Sequence, residues 1–167
     1  MPIRPAELRD ARAIAEVQVA SWQSAYRGLL PDHLLDGLSV EDRAGRWRER
    51  LAEEGSQALV IEEEGRILGF AILGASQDED ATERTGEVYA IYLAPSEWRK
   101  GYGSGLMSEA IARLREQRFA EVAVWVLQGN LRAIRFYEKH GFAADGATKV
   151  RMRAGSPSPE MRLRRPI

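Results

Sequence analysis

Apolar residues recur at helical spacing in the N-terminal third of the chain. Between residues 10 and 25 they fall on one face of a predicted helix, and the stretch "SVEDRAGRWRERL" repeats this pattern. Ser39 and Asp42 at its start are typical of a helix N-terminus, where a serine side chain accepts a hydrogen bond from a free backbone amide. A short strand, "PIRPA", is predicted before both helices, and "YRGLLPDHLLDGL" between them is a candidate for a further short helix.

The pattern changes to strand-like runs from residue 57 onward. Two apolar runs flank Glu64-Gly65, which predicts a β-hairpin, and "GEVYAIYLA" and "EVAVWVLQ" predict further strands, with Trp125 in the core. The acidic stretch "SQDEDATER" is predicted to be a solvated loop. Helical spacing returns in "LMSEAIARLRE" and "NLRAIRFYEKHGF", and two strands around a Gly-Ser-Pro turn end the chain. The predicted order is β-α-α-β-β-β-α-β-α-β-β, a mixed α/β (α+β) domain on one central sheet that spans residues 1–167.

Composition narrows the class of protein. The 167 residues carry a formal charge of −1 at pH 7, so no strong field attracts nucleic acid or an anionic membrane surface. The chain has no cysteine, which excludes disulfides, thiolate metal sites and a cysteine nucleophile. His33 and His140 have no second histidine or clustered carboxylates near them in sequence. We therefore expect a cytoplasmic protein with no metal, no nucleic-acid partner and no membrane span.

Three glycines alternate between two cations and a predicted helix. The stretch "RKGYGSGL" follows the predicted strand "VYAIYLAP", and strand, glycine-rich turn and helix together form a common phosphate-binding arrangement. The first N–H groups of a helix lack intrahelical partners, and glycine lets a ligand approach them closely. The predicted anion-binding turn consists of seven consecutive residues: Arg99, Lys100, Gly101, Tyr102, Gly103, Ser104 and Gly105.

Two commoner phosphate motifs do not fit this turn. A Walker loop ends in Gly-Lys-Ser/Thr, whereas the chain has Gly-Ser-Gly-Leu, and a dinucleotide-binding fingerprint requires glycine where Leu106 stands. On spacing alone, the stretch is either an anion-binding site or a plain sharp turn.

The turn and a second motif together resemble a known family. "EVYAIYLAPSEWRKGYGSGLM" followed by "GNLRAIRFYEKHGF" is similar to the GNAT family of N-acetyltransferases, and the N-terminal helices resemble the opening of many bacterial members. The first block departs from the family pattern at Trp98, where Gln or Arg is usual, whereas the second follows the pattern closely from Asn130 to Phe142. The resemblance implies a splayed, mostly antiparallel sheet and a turn that holds the pyrophosphate of acetyl-coenzyme A (acetyl-CoA).

Glu87 is the candidate general base. An alkylammonium ion has a pKa of about 10.4, so a base is needed to expose the reactive neutral amine. Counted back from the glycine turn, Glu87 occupies the position of the base glutamate in the histone-acetylating branch of the family; the alternative is a solvated glutamate at a strand start. On a regular strand, residues 87, 89, 91 and 93 share a face. Tyr89 is then a candidate for acceptor binding or for a proton relay through water, or else a half-buried aromatic residue of the sheet.

Tyr137 is the candidate general acid. The resemblance implies that its phenol protonates the departing thiolate of coenzyme A, whereas the alternative is a packing tyrosine on one helix face with Ala133 and Phe136. Asn130 lies about two turns before Tyr137 and is predicted to cap the helix. The resemblance adds Asn130, Ala133 and Tyr137 to the residues that contact the cofactor.

The remaining candidates bind the two substrates. The backbone of Ile91, Tyr92 and Leu93 resembles the family segment that pairs with the pantetheine arm as an added strand, and one of its amides would polarise the thioester carbonyl. Trp22 and Tyr26 are i, i+4 neighbours in the region that covers the acceptor site in family members. They are expected either to contact a substrate ammonium group or to belong to the core.

The sequence therefore predicts an acetyl-CoA-dependent N-acetyltransferase that acts directly on a primary amine of a small molecule or peptide. A thiol acyl-enzyme is excluded because the chain has no cysteine. The alternative is a non-catalytic acyl-CoA-binding sensor module; a nucleotide-dependent phosphotransferase is disfavoured because the P-loop lysine is missing. A homodimer with the C-terminal strands as its interface is a further expectation.

Overall fold

A computed structural model describes residues 2–167, which form a seven-stranded sheet with helices on both faces. The strands are β1 (Ile3–Pro5), β2 (Ala58–Glu63), β3 (Arg66–Ala75), β4 (Thr85–Leu93), β5 (Glu121–Leu127), β6 (Ala143–Arg153) and β7 (Ser156–Pro166). The helices are α1 (Ala11–Ala25), α2 (Asp32–Asp36), α3 (Val40–Ala52), α4 (Tyr102–Glu116) and α5 (Leu131–Lys139). None of the helices described is long and apolar enough to cross a membrane.

The sheet opens in its middle. Its order is β1-β2-β3-β4-β5-β7-β6, and every neighbouring pair in the described chain is antiparallel except β4 and β5. These two strands run parallel and pair only where Thr85–Glu87 lies beside Glu121–Ala123. From Val88 onward, that side of β4 has no strand partner within residues 2–167, so its backbone polar groups are available to a ligand.

Two hydrophobic cores lie on opposite faces of the sheet. On one face α4 packs Leu106 and Met107 against Val124 of β5 and Leu163 of β7. On the other face α1 and α3 cover Phe70 of β3, with buried side chains that include Ile14, Ala44 and Trp47. The helices therefore hold β4 from both sides while its edge towards β5 stays open.

The predicted order of elements is confirmed, and α2 is the short helix for which the interrupted stretch was a candidate. The turn between β2 and β3 has positive φ at Glu64 (51°) and Gly65 (75°), as a two-residue hairpin turn requires. Ser39 Oγ accepts a hydrogen bond of 3.1 Å from the amide of Asp42 and so caps α3 as predicted. Gly141, with φ of 84°, follows the end of α5.

Strict alternation along β4 is a wrong prediction because the strand contains a β-bulge. Ile72 of β3 pairs with Ala90, whereas the next residue of β3 pairs with Val88, so Tyr89 is an extra residue. Val88 and Ile91 consequently contact the same core beside α4, while Tyr89 and Ala90 lie against the core beneath α1 and α3. Because of the bulge, the side chains that follow Tyr89 lie on the opposite face of the sheet from the one that strict alternation predicts.

Trp125 and the acidic loop also differ from prediction. Trp125 is half-buried rather than part of the core, and its Nε1 donates hydrogen bonds of 3.1 Å to both carboxylate oxygens of Asp78. Asp78 and Asp80 in turn accept hydrogen bonds from the buried Arg162 of β7, at 3.2 Å and 2.7 Å. The loop after β3 is therefore fixed to the sheet by ion pairs instead of being freely solvated.

Candidate active site

The separation of β4 and β5 opens a groove of about 780 Å³. The groove brings together most of the predicted site residues: Trp22, Tyr26, Glu87, Tyr89, Ile91, Tyr92, Leu93, Arg99, Gly101, Gly103, Ser104, Asn130, Ala133 and Tyr137. Three residues of the predicted anion-binding turn do not line it: Lys100, Tyr102 and Gly105.

These three residues have partners within the protein. Lys100 Nζ lies 3.1 Å from Glu97 Oε2, and the Tyr102 hydroxyl donates a hydrogen bond of 2.8 Å to Glu63 Oε2. The amide of Gly105 donates to the carbonyl of Gly101 at 3.2 Å, as the first regular bond of α4. Their part in cofactor binding stays a prediction.

The N-terminus of α4 forms one wall of the groove. Gly101 has φ of 90°, a left-handed conformation that glycine adopts without strain. A Cβ at Gly103 would lie 3.2 Å from Phe136 and 3.5 Å from Leu93, so glycine here lets α4 pack closely against α5. The amides of residues 102–104 precede the first intrahelical bond, and the helix dipole favours an anion beside them.

Trp98 joins the end of β4 to the N-terminus of α5. Its indole Nε1 donates a hydrogen bond of 3.1 Å to the carbonyl of Leu93. The guanidinium carbon of Arg132 lies 3.6 Å from the centroid of the Trp98 ring, in cation–π contact. Trp98 thus uses one lone pair of the Leu93 carbonyl, which belongs to the segment predicted to bind pantetheine. It also holds the guanidinium group of Arg132 at the groove.

A row of cations lines the groove near the N-terminus of α4. Arg99 precedes the helix, and Arg132, Arg135 and Lys139 project from α5. The three residues of α5 were not among the predicted site residues, although their i, i+3, i+7 spacing places them on one helix face. With the free amides of α4, this row forms an electropositive surface suited to phosphate groups.

Glu87 lies at the point where the two strands part. It stands beside Ala123 in the last parallel pair, and the hydroxyl of Ser76 donates a hydrogen bond of 3.1 Å to Glu87 Oε1. The side chain is half-buried, and burial, assisted by the negative charge of Asp78, raises its pKa. A carboxylate with a raised pKa at the edge of a groove is suited to accept a proton.

Tyr137 of α5 also lines the groove, and only 8% of it is exposed. Its ring packs edge-on against Phe136 and Phe142, at centroid distances of 5.5 Å and 5.8 Å. Burial, followed by the nearby phenol of Tyr92, raises the pKa of Tyr137, while the cation of Arg132 acts in the opposite direction. The phenol therefore keeps its proton at neutral pH.

Asn130 is the N-cap of α5, as predicted. Its Oδ1 accepts a hydrogen bond of 3.2 Å from the amide of Ala133, and Asn130 also lines the groove. The cap fixes the start of the helix that carries Tyr137.

Aromatic residues from α1 and β4 form the wall on the α1 side. The hydroxyl groups of Tyr26 and Tyr92 lie 2.9 Å apart, and Trp22 packs edge-on against Tyr26 with centroids 5.2 Å apart. Trp22 and Tyr26 are both buried and line the groove, so the core and the site share them. Tyr89 donates its hydroxyl proton to the carbonyl of Ala75.

Charged residues from distant segments complete this side of the groove. Arg43 comes from α3, Arg151 and Arg153 from β6, and Glu160 from β7. None of the four was among the predicted site residues, because only the fold brings these distant segments to one groove. Among residues 2–167, no group of three or more histidine, cysteine, aspartate or glutamate side chains is arranged to hold a metal ion.

Comparison with known proteins agrees with this arrangement. Residues 19–142 match the acetyltransferase (GNAT) family. The chain is 31% identical over 138 residues to YuaI of Bacillus subtilis, an uncharacterized N-acetyltransferase, covering 83% of this chain and 78% of that protein. It is 28% identical over 148 residues to an uncharacterized N-acetyltransferase of Mycobacterium bovis, covering 88% and 92%.

Solved structures share the fold. The PaiA N-acetyltransferase of Thermoplasma acidophilum, in complex with coenzyme A, superposes with a TM-score of 0.74 at 21% identity, covering 99% of this chain and 98% of that one. Fold, groove and relatives define the class of protein as an acetyl-CoA-dependent acetyltransferase. The chain belongs to the GNAT family of N-acetyltransferases.

Proposed function

We propose that the protein transfers the acetyl group of acetyl-CoA directly to a primary amine of a small molecule or peptide. The observation that carries this proposal is the separation of β4 and β5 after Glu87. It exposes one edge of β4 inside a groove that also contains Tyr137 and the N-terminus of α4. A candidate base, a candidate acid and an anion-binding helix end therefore border one space.

The residues present fit the acyl donor. Acetyl-CoA supplies an acyl group activated as a thioester. The amides of residues 102–104, with Arg99 and Arg132 nearby, are suited to its phosphates. The free edge of β4 from Ile91 to Leu93 is suited to its amide-containing arm, as an added strand would be. In enzymes, alignment of two reactants in one site can remove up to about 7–11 kcal/mol of the barrier.

The two candidate catalytic side chains divide the proton transfers. Glu87, directly or through water, accepts the proton that the amine releases as its nitrogen forms a bond to the acyl carbon. The carbon–sulfur bond breaks at the same carbon, and Tyr137 donates its phenolic proton to the departing thiolate. The phenol is the weaker acid, and burial raises its pKa further. The positive charge of Arg132 acts in the opposite direction and stabilises the phenolate in part.

A thiol-release assay with acetyl-CoA and a panel of amines tests this function. The proposal predicts release of free coenzyme A that depends on both the amine and the enzyme. The alternative, a non-catalytic acyl-CoA-binding sensor, predicts saturable binding of acetyl-CoA without turnover of any amine. Glu87 and Tyr137 in the groove favour the enzyme, because a sensor needs neither side chain.

Three predictions about the whole protein are also retained as proposals. We expect residues 1–167 to act as one N-acetyltransferase domain and the protein to reside in the cytoplasm, which cell fractionation would test.

A homodimer through the C-terminal strands is supported by β6, which is an edge strand with Val150 and Met152 each 62% exposed. Sedimentation analysis distinguishes a dimer from a monomer.

A further inference from the structure

Basic side chains surround Trp22 on the α1 and α3 side of the sheet. The guanidinium carbon of Arg153 lies 4.8 Å from the centroid of the Trp22 ring, and that of Arg43 lies 5.5 Å from it. Arg151 and Glu160 also line the groove, and Glu160 pairs with both Arg153 and Arg151. We call these five residues the Trp22 cluster.

The Trp22 cluster contains hydrogen-bond donors without acceptors. Trp22 Nε1 and Arg153 Nε are buried and have no partner among residues 2–167. The half-buried Arg43 side chain forms neither a hydrogen bond nor an ion pair with any described residue. Such donors are normally satisfied in a folded protein. Trp22, Arg43 and Arg153 all line the groove, so a ligand in the groove is a candidate for the acceptor that they lack.

The charges of the Trp22 cluster do not balance. Glu160 Oε2 accepts a hydrogen bond of 3.0 Å from Arg153, and its Oε1 lies 3.7 Å from Arg151 Nε. Glu160 therefore pairs with Arg153 and Arg151, while Arg43 forms no ion pair with any residue among 2–167. Burial, then the neighbouring cations of Arg46 and Arg153, lowers the pKa of Arg43, although an arginine stays charged at neutral pH.

These cations are distinct from those suited to the phosphates of acetyl-CoA. That row comes from the start of α4 and from α5, whereas the Trp22 cluster comes from α1, α3, β6 and β7. The aromatic wall of Tyr26 and Tyr92 adjoins Trp22, whose ring lies 6.3 Å from that of Tyr92. The Trp22 cluster therefore borders the side of the groove left for the acceptor.

We infer that the acceptor is a small primary amine that also carries a carboxylate, which Arg43, Arg153 and the Trp22 indole N–H hold through charge-assisted hydrogen bonds. This inference rests on the proposed acetyl-transfer function. A polycationic acceptor would instead be repelled by three arginines.

The test compares amines that differ only in charge. Glycine, β-alanine, 4-aminobutyrate and a set of α-amino acids are each assayed beside their own carboxamide, by thiol release with acetyl-CoA. Rates are corrected for the neutral fraction of each amine, because amidation changes the amine pKa. The proteins are the wild type, Arg43→Gln, Arg43→Lys and, as a matched control, Arg48→Gln, which alters an exposed arginine of the same helix outside the groove.

We expect the wild type to prefer at least one carboxylate over its carboxamide by about tenfold or more in kcat/KM, the effect of one charge-assisted hydrogen bond. Arg43→Gln should reduce this ratio to near unity, Arg43→Lys should retain part of it, and Arg48→Gln should leave it unchanged. Calorimetric affinity for acetyl-CoA should be the same in all four proteins.

Several outcomes overturn the inference while the proposed function stands. These are acetylation with no preference for carboxylates, preference for a polyamine such as spermidine, and a carboxylate preference that Arg43→Gln leaves intact. Binding of acetyl-CoA with no acetylation of any carboxylate in the panel also overturns it. Failure to bind acetyl-CoA at all is a different result, because it contradicts the proposed function itself.

Discussion

The hydroxyl of Ser76 donates a hydrogen bond of 3.1 Å to Glu87 Oε1 at the point where β4 and β5 separate. This bond stabilises the ionised carboxylate, whereas burial destabilises it. The two effects oppose each other, and burial is the stronger, so the pKa of Glu87 is raised while the side chain keeps a fixed direction. A substitution at Ser76 can therefore change the pKa of Glu87 without removing the carboxylate of the proposed base.

Ser76→Ala should raise the pKa of Glu87 further, because it removes a hydrogen bond that favours the charged form. If Glu87 must be ionised to accept a proton, activity rises with pH through its pKa. We therefore expect the acidic limb of the kcat/KM profile to move to higher pH by about one pH unit or less. Ser96→Ala is the matched control, because Ser96 makes a 3.1 Å bond to Glu97 outside the groove. A profile that does not move in Ser76→Ala argues against Glu87 as the base.

Tyr137→Phe should lower kcat by about 100-fold or more, the usual contribution of a general acid, with little change in acetyl-CoA affinity. Phenylalanine retains the ring that packs against Phe136 and Phe142, so the fold should persist. Steady-state kinetics and calorimetry together separate turnover from binding. Tyr102→Phe removes a phenol bonded to Glu63 outside the groove and serves as the control. Equal losses of kcat and affinity in Tyr137→Phe would assign the residue to cofactor binding instead.

Gly103→Val should weaken acetyl-CoA binding by about tenfold or more, a loss of about 1.4 kcal/mol or greater. A Cβ at this position would lie 3.2 Å from Phe136, so the larger side chain displaces the N-terminus of α4 from α5 and from the groove. Gly45→Val places the same side chain in α3, where no described atom lies within 4 Å of the new Cβ. Calorimetry should find normal affinity in that control, and normal affinity in Gly103→Val would show that the close packing is dispensable for binding.

Arg162→Leu should destabilise the protein by about 3 kcal/mol, measured by urea unfolding at neutral pH. The buried guanidinium bonds Asp80 and Asp145 at 2.7 Å each and Asp78 at 3.2 Å. Its loss leaves Asp78 without an arginine partner, while Asp80 and Asp145 keep only Arg164. Arg165→Leu is the matched control, because Arg165 of the same strand donates to the carbonyl of His140 at 2.9 Å instead of to a carboxylate. A loss below about 1 kcal/mol would mean that the loop is held by other contacts.

The difference in stability between the wild type and Arg162→Leu should also depend on pH. The hydrogen bond from Arg162 lowers the pKa of Asp80 to about 2, below its value of about 3.9 in an unfolded chain. A lowered pKa in the folded state adds stability that is fully present above the unfolded value and is lost as the pH falls. The wild type and Arg162→Leu should therefore converge in stability between about pH 4 and pH 2.

Local patterns were sufficient to predict the elements, and the resemblance to the GNAT family indicated two residues that line the groove. The positive φ at Glu64 and Gly65 and the Ser39 cap depend on residues adjacent in sequence, so the hairpin and the start of α3 could be foreseen. Glu87 and Tyr137 followed from their places in two motifs, and both line the groove. Their chemical roles are still predictions, for which the experiments above are designed.

Features that depend on non-local register could not be foreseen. The bulge at Tyr89 exists only in relation to β3, and the closeness of Gly103 to Phe136 depends on how α4 meets α5. The Trp22 cluster draws arginines from α3 and β6, far apart in sequence and without a shared motif. The row on α5 is different, because the spacing of Arg132, Arg135 and Lys139 was present in the sequence and was overlooked.

The central claim is that free amides at the start of α4 hold the diphosphate of the acyl donor, which can approach them closely because Gly101 has no side chain. Calorimetric titration of the wild type with acetyl-CoA and with acetyl-pantetheine, which lacks the diphosphate and the nucleotide, tests it directly. The claim predicts one binding site for acetyl-CoA and an affinity about 100-fold lower for acetyl-pantetheine, the loss of two charge-assisted hydrogen bonds. Equal affinities for the two thioesters, or no binding of acetyl-CoA, would contradict it.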